Sequence, residues 1–383
     1  MTRTMNTLSK MLAASSVLFV TCGITQSALA ATVNYSACVK TLTLPTTNPD
    51  LAKVTMWGFS TTPLAAGQAA TNTCMMNTGT PVTVPGKQIE MTQGDILNLS
   101  LFVNMMTPQE AAPYQGHTVH LHGADVDSAN DGVPETSLAV TSSYKYVWDM
   151  PAQPKTDQIG SFMYHCHVHT VKHLDMGMYG AILVRPKNAL GATITNQITA
   201  SDKSAFDVEQ TYVVSAIDPA YHDASAAGGL PVVGDSKVFA DYNPKYFLLN
   251  GTEGISSATP ASAAMLSGVA PGSKVALHLV DPLSIYGIFS IKDAAGIPQR
   301  FTVYVEDGRA IAPVPTLGDP ATSQTSLEIG PGKRFDIIFT TPITPGTLYP
   351  QIEFKNPRGE TITVKNTAGA ITGNAMVYGK VTF

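Results

Sequence analysis

The sequence predicts an all-β chain folded as two β-sandwich domains, and three observations lead there. Short apolar runs recur with a period of two and without the 3.6-residue stripe of amphipathic helices. In residues 96–104, Leu97, Leu99, Leu101 and Val103 alternate with more polar neighbours, apart from Phe102. Turn formers are dense, with 31 Gly and 26 Pro separating the runs, as sandwiches require. At 383 residues the chain exceeds one ordinary domain and suits two.

Residues 1–30 read as an export signal. Arg3 and Lys10 give the basic start, residues 11–20 the apolar centre, and Ala28, Leu29 and Ala30 the small-residue cleavage site. The apolar run is too short for an uncleaved anchor, which needs ~18 residues. No other segment is long enough to span a bilayer. Thr21 is a poor residue before a lipidated cysteine, which argues against a lipoprotein reading of Cys22. Removing the signal takes Lys plus Arg from 23 to 21 against 28 acids, so the net charge moves from −5 to about −7. That balance, without a basic run, excludes nucleic acid as a partner. The expected location is periplasmic or secreted. In such an oxidising compartment Cys38 and Cys74 are expected to pair, which stabilises by ~3–4 kcal/mol on the chain-entropy model. Cys166 is then the odd cysteine.

Residues 31–187 are expected to form the first domain. It begins with a strand pair pinned by the disulfide, followed by the strand at 96–104 and a loop over 105–115. A short histidine strand and a polar turn at 124–134 come next. Tyr144, Tyr146 and Trp148 alternate in a further strand, and residues 162–167 and 179–184 supply two more. Residues 188–208, rich in Ala, Thr, Asn and Ser, read as a linker. Residues 209–383 read as a second β domain.

Seven of the nine histidines fall in two short stretches, at 116–123 and 164–180. The second also holds Cys166, Met176 and Met178. Packing does not explain such crowding, because His is only moderately buried in ordinary cores. One thiolate, two imidazoles and a weak thioether form the ligand set of a blue, electron-transferring copper site. The candidates are Cys166, His117, His173 and Met178, with Met176 competing as the axial sulfur. Strand parity separates these from the remaining imidazoles. Alternate side chains face opposite sides of a strand. His117 and Cys166 therefore share one side, while His120, His122, His165 and His167 gather on the other. Zinc suits the imidazole group but leaves the thiolate and thioether unexplained.

These motifs resemble those of multicopper oxidases, the family of laccases, bilirubin oxidases and two-domain copper oxidases. HTVHLHG at 117–123 is similar to the family's H-P-x-H-L-H-G, YHCH at 164–167 to its H-C-H, and HLDMGMYGAILV at 173–184 to its ligand loop and following strand. The resemblance implies cupredoxin-like Greek-key domains, copper as cofactor and oxidoreductase activity. It makes His117, Cys166, His173 and Met178 type 1 ligands, and His120, His122, His165 and His167 type 2 or type 3 ligands. The family usually leaves four residues between the cysteine and the next type 1 histidine; here there are six, and His169 is extra. Copper nitrite reductases, the sister family, carry an Asp three residues after the type 1 histidine, where this chain has His120. Asp131 stands where related oxidases place an acid near the cluster. It reads either as a proton relay or as a turn cap.

The second half resembles the copper-free second domain of three-domain laccases at 246–251, 303–313 and 329–337. It holds only His222 and His278, so the chain supplies half of the eight histidines of a trinuclear cluster. Two readings of that half remain, further copper where oxygen reacts, or a leftover half-site. The resemblance also implies an electron donor and, by analogy with two-domain relatives, a homotrimer. A non-catalytic electron carrier or copper-handling protein is the alternative function.

Overall fold

The computed structural model describes residues 30–104, 107–110, 114–152, 157–219, 222, 244–282, 285–319, 322–356, 358–365 and 370–383. The export signal, apart from Ala30, lies outside the described residues. No helix among the described residues is long and apolar enough to cross a membrane.

Among the described residues, the N-terminal half is built from eight strands in two four-stranded sheets. Strands β1 (Thr32–Thr43), β2 (Thr55–Leu64), β4 (Ile96–Phe102) and β6 (Ser143–Asp149) pair in the order β2-β1-β4-β6. Strands β3 (Gly86–Thr92), β5 (His120–His122), β7 (Gly160–His165) and β8 (Tyr179–Arg185) pair in the order β3-β8-β7-β5. Sequence neighbours are thus distributed over both sheets, in cupredoxin fashion. The alternation read in β4 is seen directly, because Leu97, Leu99 and Leu101 are fully buried while their neighbours are half-exposed. They share a core with Tyr146, Trp148, Phe162, Tyr164, Ile182 and Val184.

β7 and β8 are buried along their whole length. One face of this sheet meets the first core. The other brings Met163, Tyr179 and Ala181 into the core of the second half. That second half is a sandwich too. An eight-stranded sheet contains strands Val208–Ile217, Lys274–Val280, Arg334–Thr340 and Phe301–Glu306. A six-stranded sheet contains Tyr286–Asp293 and Thr347–Lys355. Between them pack Leu277, Leu279, Ile337, Phe339, Phe289 and Phe354.

Several local features differ from the sequence reading. Cys38 on β1 bonds Cys74 on the short helix α1 (Thr73–Met76), so the disulfide ties a strand to a helical turn. The cysteine strand stops at His165, one residue before Cys166. The ligand loop read from His173 onward begins inside a second short helix, α2 (Thr170–Asp175). Residues 188–208 are not a bare bridge, since Ile198 and Phe206 pack against Tyr304, Val305 and Ile338.

The two sandwiches are joined by polar clamps as well as apolar surface. Asp336 accepts from Ser161 N–H at 2.9 Å and from the Ser161 hydroxyl. It also binds His278 Nδ1, whose Nε2 meets Glu209 at 2.9 Å. Glu209 in turn holds Arg185 bidentately at 2.6 and 2.7 Å. Burial opposes charge on His278, but Asp336 and Glu209 outweigh it and raise its pKa to about 9. Burial likewise opposes charge on Glu209, and His278 and Arg185 lower its pKa to about 2.

Candidate metal centre

The end of β7 divides two groups of side chains. Cys166 is fully buried, and its N–H donates to Met178 O at 3.1 Å, tying the strand end to the start of β8. Its sulfur lies 3.0 Å from His173 Nδ1 and 3.8 Å from His117 Nδ1, and accepts the Thr118 N–H at 3.4 Å. His117, Cys166 and His173 thereby bring three donor atoms within 4.8 Å of one another. His117 comes from the segment before β5, where it bridges Val140 in antiparallel fashion. His173 comes from α2.

Met176 and Met178 are both fully buried in the same core as Cys166. The Trp57 N–H donates to Met176 O at 2.7 Å, and the Met178 N–H to His173 O at 2.9 Å. Gly177 between them has φ 109°, and a Cβ there would stand 2.6 Å from Val84. Only glycine lets the chain pass at that angle and distance. The Trp57 ring packs edge-on against His173 at 5.4 Å and against His117 at 6.3 Å.

This donor set fits a soft metal. The His117 Nε2–H donates to Pro108 O at 2.6 Å, which leaves Nδ1 free to bind. His173 turns Nδ1 to the sulfur and Nε2 towards Glu110. Burial disfavours the Cys166 thiolate, but the charge of His173 and contacts from His117 and His173 hold its pKa well below the usual thiol range. Burial also opposes charge on His173, yet Cys166 and Glu110 raise its pKa to about 9.

The second group faces the C-terminal sandwich. His120 lies opposite His165 in the β5–β7 ladder. His122 Nδ1 is 3.2 Å from His165 Nε2, and His120, His122 and His165 bring ligand atoms within 4.8 Å of one another. The His167 ring sits 5.2 Å from that of His120 and 5.8 Å from that of His165. His120 Nδ1–H donates to Asp131 O at 2.6 Å, and His165 Nδ1–H to Cys166 O at 2.9 Å. Both rings therefore keep Nε2 unprotonated, the lone pair a metal needs, and that of His165 faces His122 Nδ1. Burial lowers the pKa of His120 and of His165, and it takes His122 to about 3, with help from the Arg334 charge. Neutral imidazoles are the metal-binding form. The Asp131 carboxylate stands 3.3 Å from His120 Nδ1. The turn before it is capped by Asp127, which accepts from the Ala129 and Asn130 N–H groups.

The sequence motifs did not disclose Glu110, Trp57, Gly332 or Arg334. Glu110 carries a faint signal as the only acid between Asp95 and Asp125. Gly332 and Arg334 sit over the imidazole group from the far sandwich. A Cβ at Gly332 would be 3.0 Å from His122, and one at Gly123 would be 2.3 Å from the Arg334 guanidinium. His278 and His222 do not join the group, since both nitrogens of each are engaged elsewhere.

Residues 61–189 match the family model for multicopper oxidase.

That stretch is similar to a multicopper oxidase domain.

Among curated proteins, the copper-containing nitrite reductase of Neisseria meningitidis serogroup A is 28% identical over 172 residues, covering 45% of this chain. The match spans 37% of that relative's own length. Among solved structures, the blue copper oxidase of Nitrosomonas europaea aligns with a TM-score of 0.54 and 19% identity over 92% of this chain and 85% of that one. The multicopper oxidase mgLAC aligns with a TM-score of 0.56 and 19% identity, covering 92% and 86%. At this identity the structural matches show the cupredoxin fold, and they extend it beyond residues 61–189 to most of the chain.

Proposed function

We propose that this chain is an exported copper oxidoreductase with a type 1 electron-transfer site and an imidazole cluster that takes further copper. The observation that carries this reading is the convergence of Cys166, His117 and His173 in one buried pocket, back to back with His120, His122 and His165. Copper held by Cys166, His117, His173 and Met178 supplies one-electron exchange. The chain's residues do the rest. Trp57 and the buried methionines exclude water from the sulfur. The backbone link from Cys166 to His165 and His167 gives a short covalent path between the two sites. Asp131, whose carboxylate stands 3.3 Å from His120 Nδ1, is the acid that passes protons to oxygen reduced at the cluster. The division into domains 31–187 and 209–383, with 188–208 between them, belongs to the same reading. So does a homotrimer, in which a neighbour's histidines complete the cluster.

Copper analysis together with visible and paramagnetic spectra tests this directly. A blue band and more than one copper per chain are expected; colourless protein that binds no copper through Cys166 sinks the proposal. The alternative, a non-catalytic carrier or copper-handling protein, is favoured by one observation. The C-terminal sandwich offers no free imidazole among the described residues. Oxygen uptake with a phenol or metal-ion donor separates the two readings, because a carrier takes up none.

A further inference from the structure

The helix α2 gives the two extra residues between Cys166 and His173 a purpose. His169, Lys172 and His173 stand at positions i, i+3 and i+4, which share one face of a helical turn. All three meet the same carboxylate. Glu110 Oε2 lies 2.9 Å from His169 Nδ1, and Oε1 lies 2.7 Å from Lys172 Nζ and 3.4 Å from His173 Nε2. Lys172 is buried although it is a lysine, and its ammonium sits 5.6 Å from the Trp57 ring. The His169 ring stacks on Tyr114 at 4.3 Å, with its backbone in the left-handed region at φ 47°. His173 Nε2 and Glu110 Oε1 are both buried and face each other at 3.4 Å without a formed hydrogen bond, and, the Lys172 ion pair aside, neither has another hydrogen-bond partner among the described residues.

We propose that Glu110 is a positioning residue for the type 1 site, accepting the His173 Nε2–H so that Nδ1 stays turned to Cys166. His169 and Lys172 hold the carboxylate in place. The inference rests on the reading of His117, Cys166, His173 and Met178 as copper ligands. A carboxylate on the far nitrogen makes an imidazole a stronger donor. It therefore favours the cupric over the cuprous ion and lowers the reduction potential.

The test is the midpoint potential and visible spectrum of the copper-loaded full chain and three variants. In Glu110→Gln the preference for cupric ion is expected to fall about tenfold, the scale of lost outer-shell partners, which raises the potential by about 59 mV. Glu110→Asp keeps the charge but shortens the reach, and it is expected to shift the potential as far. His169→Gln loosens the carboxylate and is expected to shift it the same way by less. This variant decides the matter if the Glu110 variants do not fold. A blue wild type whose variants keep its potential overturns the inference and leaves the type 1 reading intact. A wild type without a blue band removes the type 1 reading itself.

Discussion

Cys166 and His165 are neighbours in the chain yet serve opposite sides of the strand end. The Cys166 sulfur is 3.0 Å from His173 Nδ1, while His165 Nε2 is 3.2 Å from His122 Nδ1. The His165 Nδ1–H donates to the carbonyl of Cys166 itself, at 2.9 Å. The residue that carries the sulfur thus also holds the ring that faces away from it.

Cys166→Ser is expected to abolish the blue band and lower bound copper by one ion per chain, leaving the imidazole cluster able to bind. Absorption spectra and copper analysis on the folded variant check this. A variant that stays blue contradicts the assignment of the sulfur.

The clamp between the sandwiches predicts a pH dependence. His278 has its pKa raised to about 9 in the folded chain, against ~6.5 unfolded. Its stabilising contribution is therefore complete below ~6.5 and is lost as pH rises through about 9. Glu209, lowered to about 2, contributes above its ordinary range and loses that contribution as pH falls through about 2. His278→Gln is expected to cost ~3–5 kcal/mol near pH 6, the scale of breaking a buried ion pair. Urea unfolding of wild type and variant at pH 6 and pH 9 measures the His278 contribution, and a variant whose deficit does not shrink at the higher pH refutes this account.

Gly332→Ala tests the roof over the imidazole group. The backbone there has φ 77°, and the added methyl would come within 3.0 Å of His122. The left-handed conformation alone costs ~1–2 kcal/mol for a residue with a Cβ. The variant is expected to melt lower and to bind less copper at the cluster while keeping its blue colour. Unchanged copper content would show that His122 tolerates the intrusion.

Phe162→Ala is expected to cost ~3–5 kcal/mol. The ring is fully buried, packs edge-on against Trp148 at 4.9 Å, and lies against Gly308 and Arg334 of the other sandwich. Equilibrium unfolding provides the number, and a loss below 1 kcal/mol would mean that its pocket collapses freely.

The parts of the site that a period-two rule governs were legible in the sequence. Cys166 and His165 alternate even though β7 ends between them, so the separation into two groups could be read from residue parity alone. The Asn250-Gly251 and Asp307-Gly308 turns, with positive φ at both residues, are the ones their chemistry announces. α2 was not legible, because six residues give too little length for a helical period to register. Glu110 was hidden for another reason. It meets His169 from 59 residues away, and nothing local marks a carboxylate as belonging to a distant imidazole. Gly332 and Arg334 are further still, and only the packing of one sandwich on the other brings them over His122.

The sheet holding β7 and β8 belongs to two cores at once. A chain cut after residue 187 would keep every proposed copper ligand but would bare Met163, Tyr179 and Ala181 to water. Such a fragment would be an adhesive half, prone to stick to its twin, so the half that holds the proposed copper ligands depends on its companion for solubility even though that companion, among the described residues, offers no free imidazole.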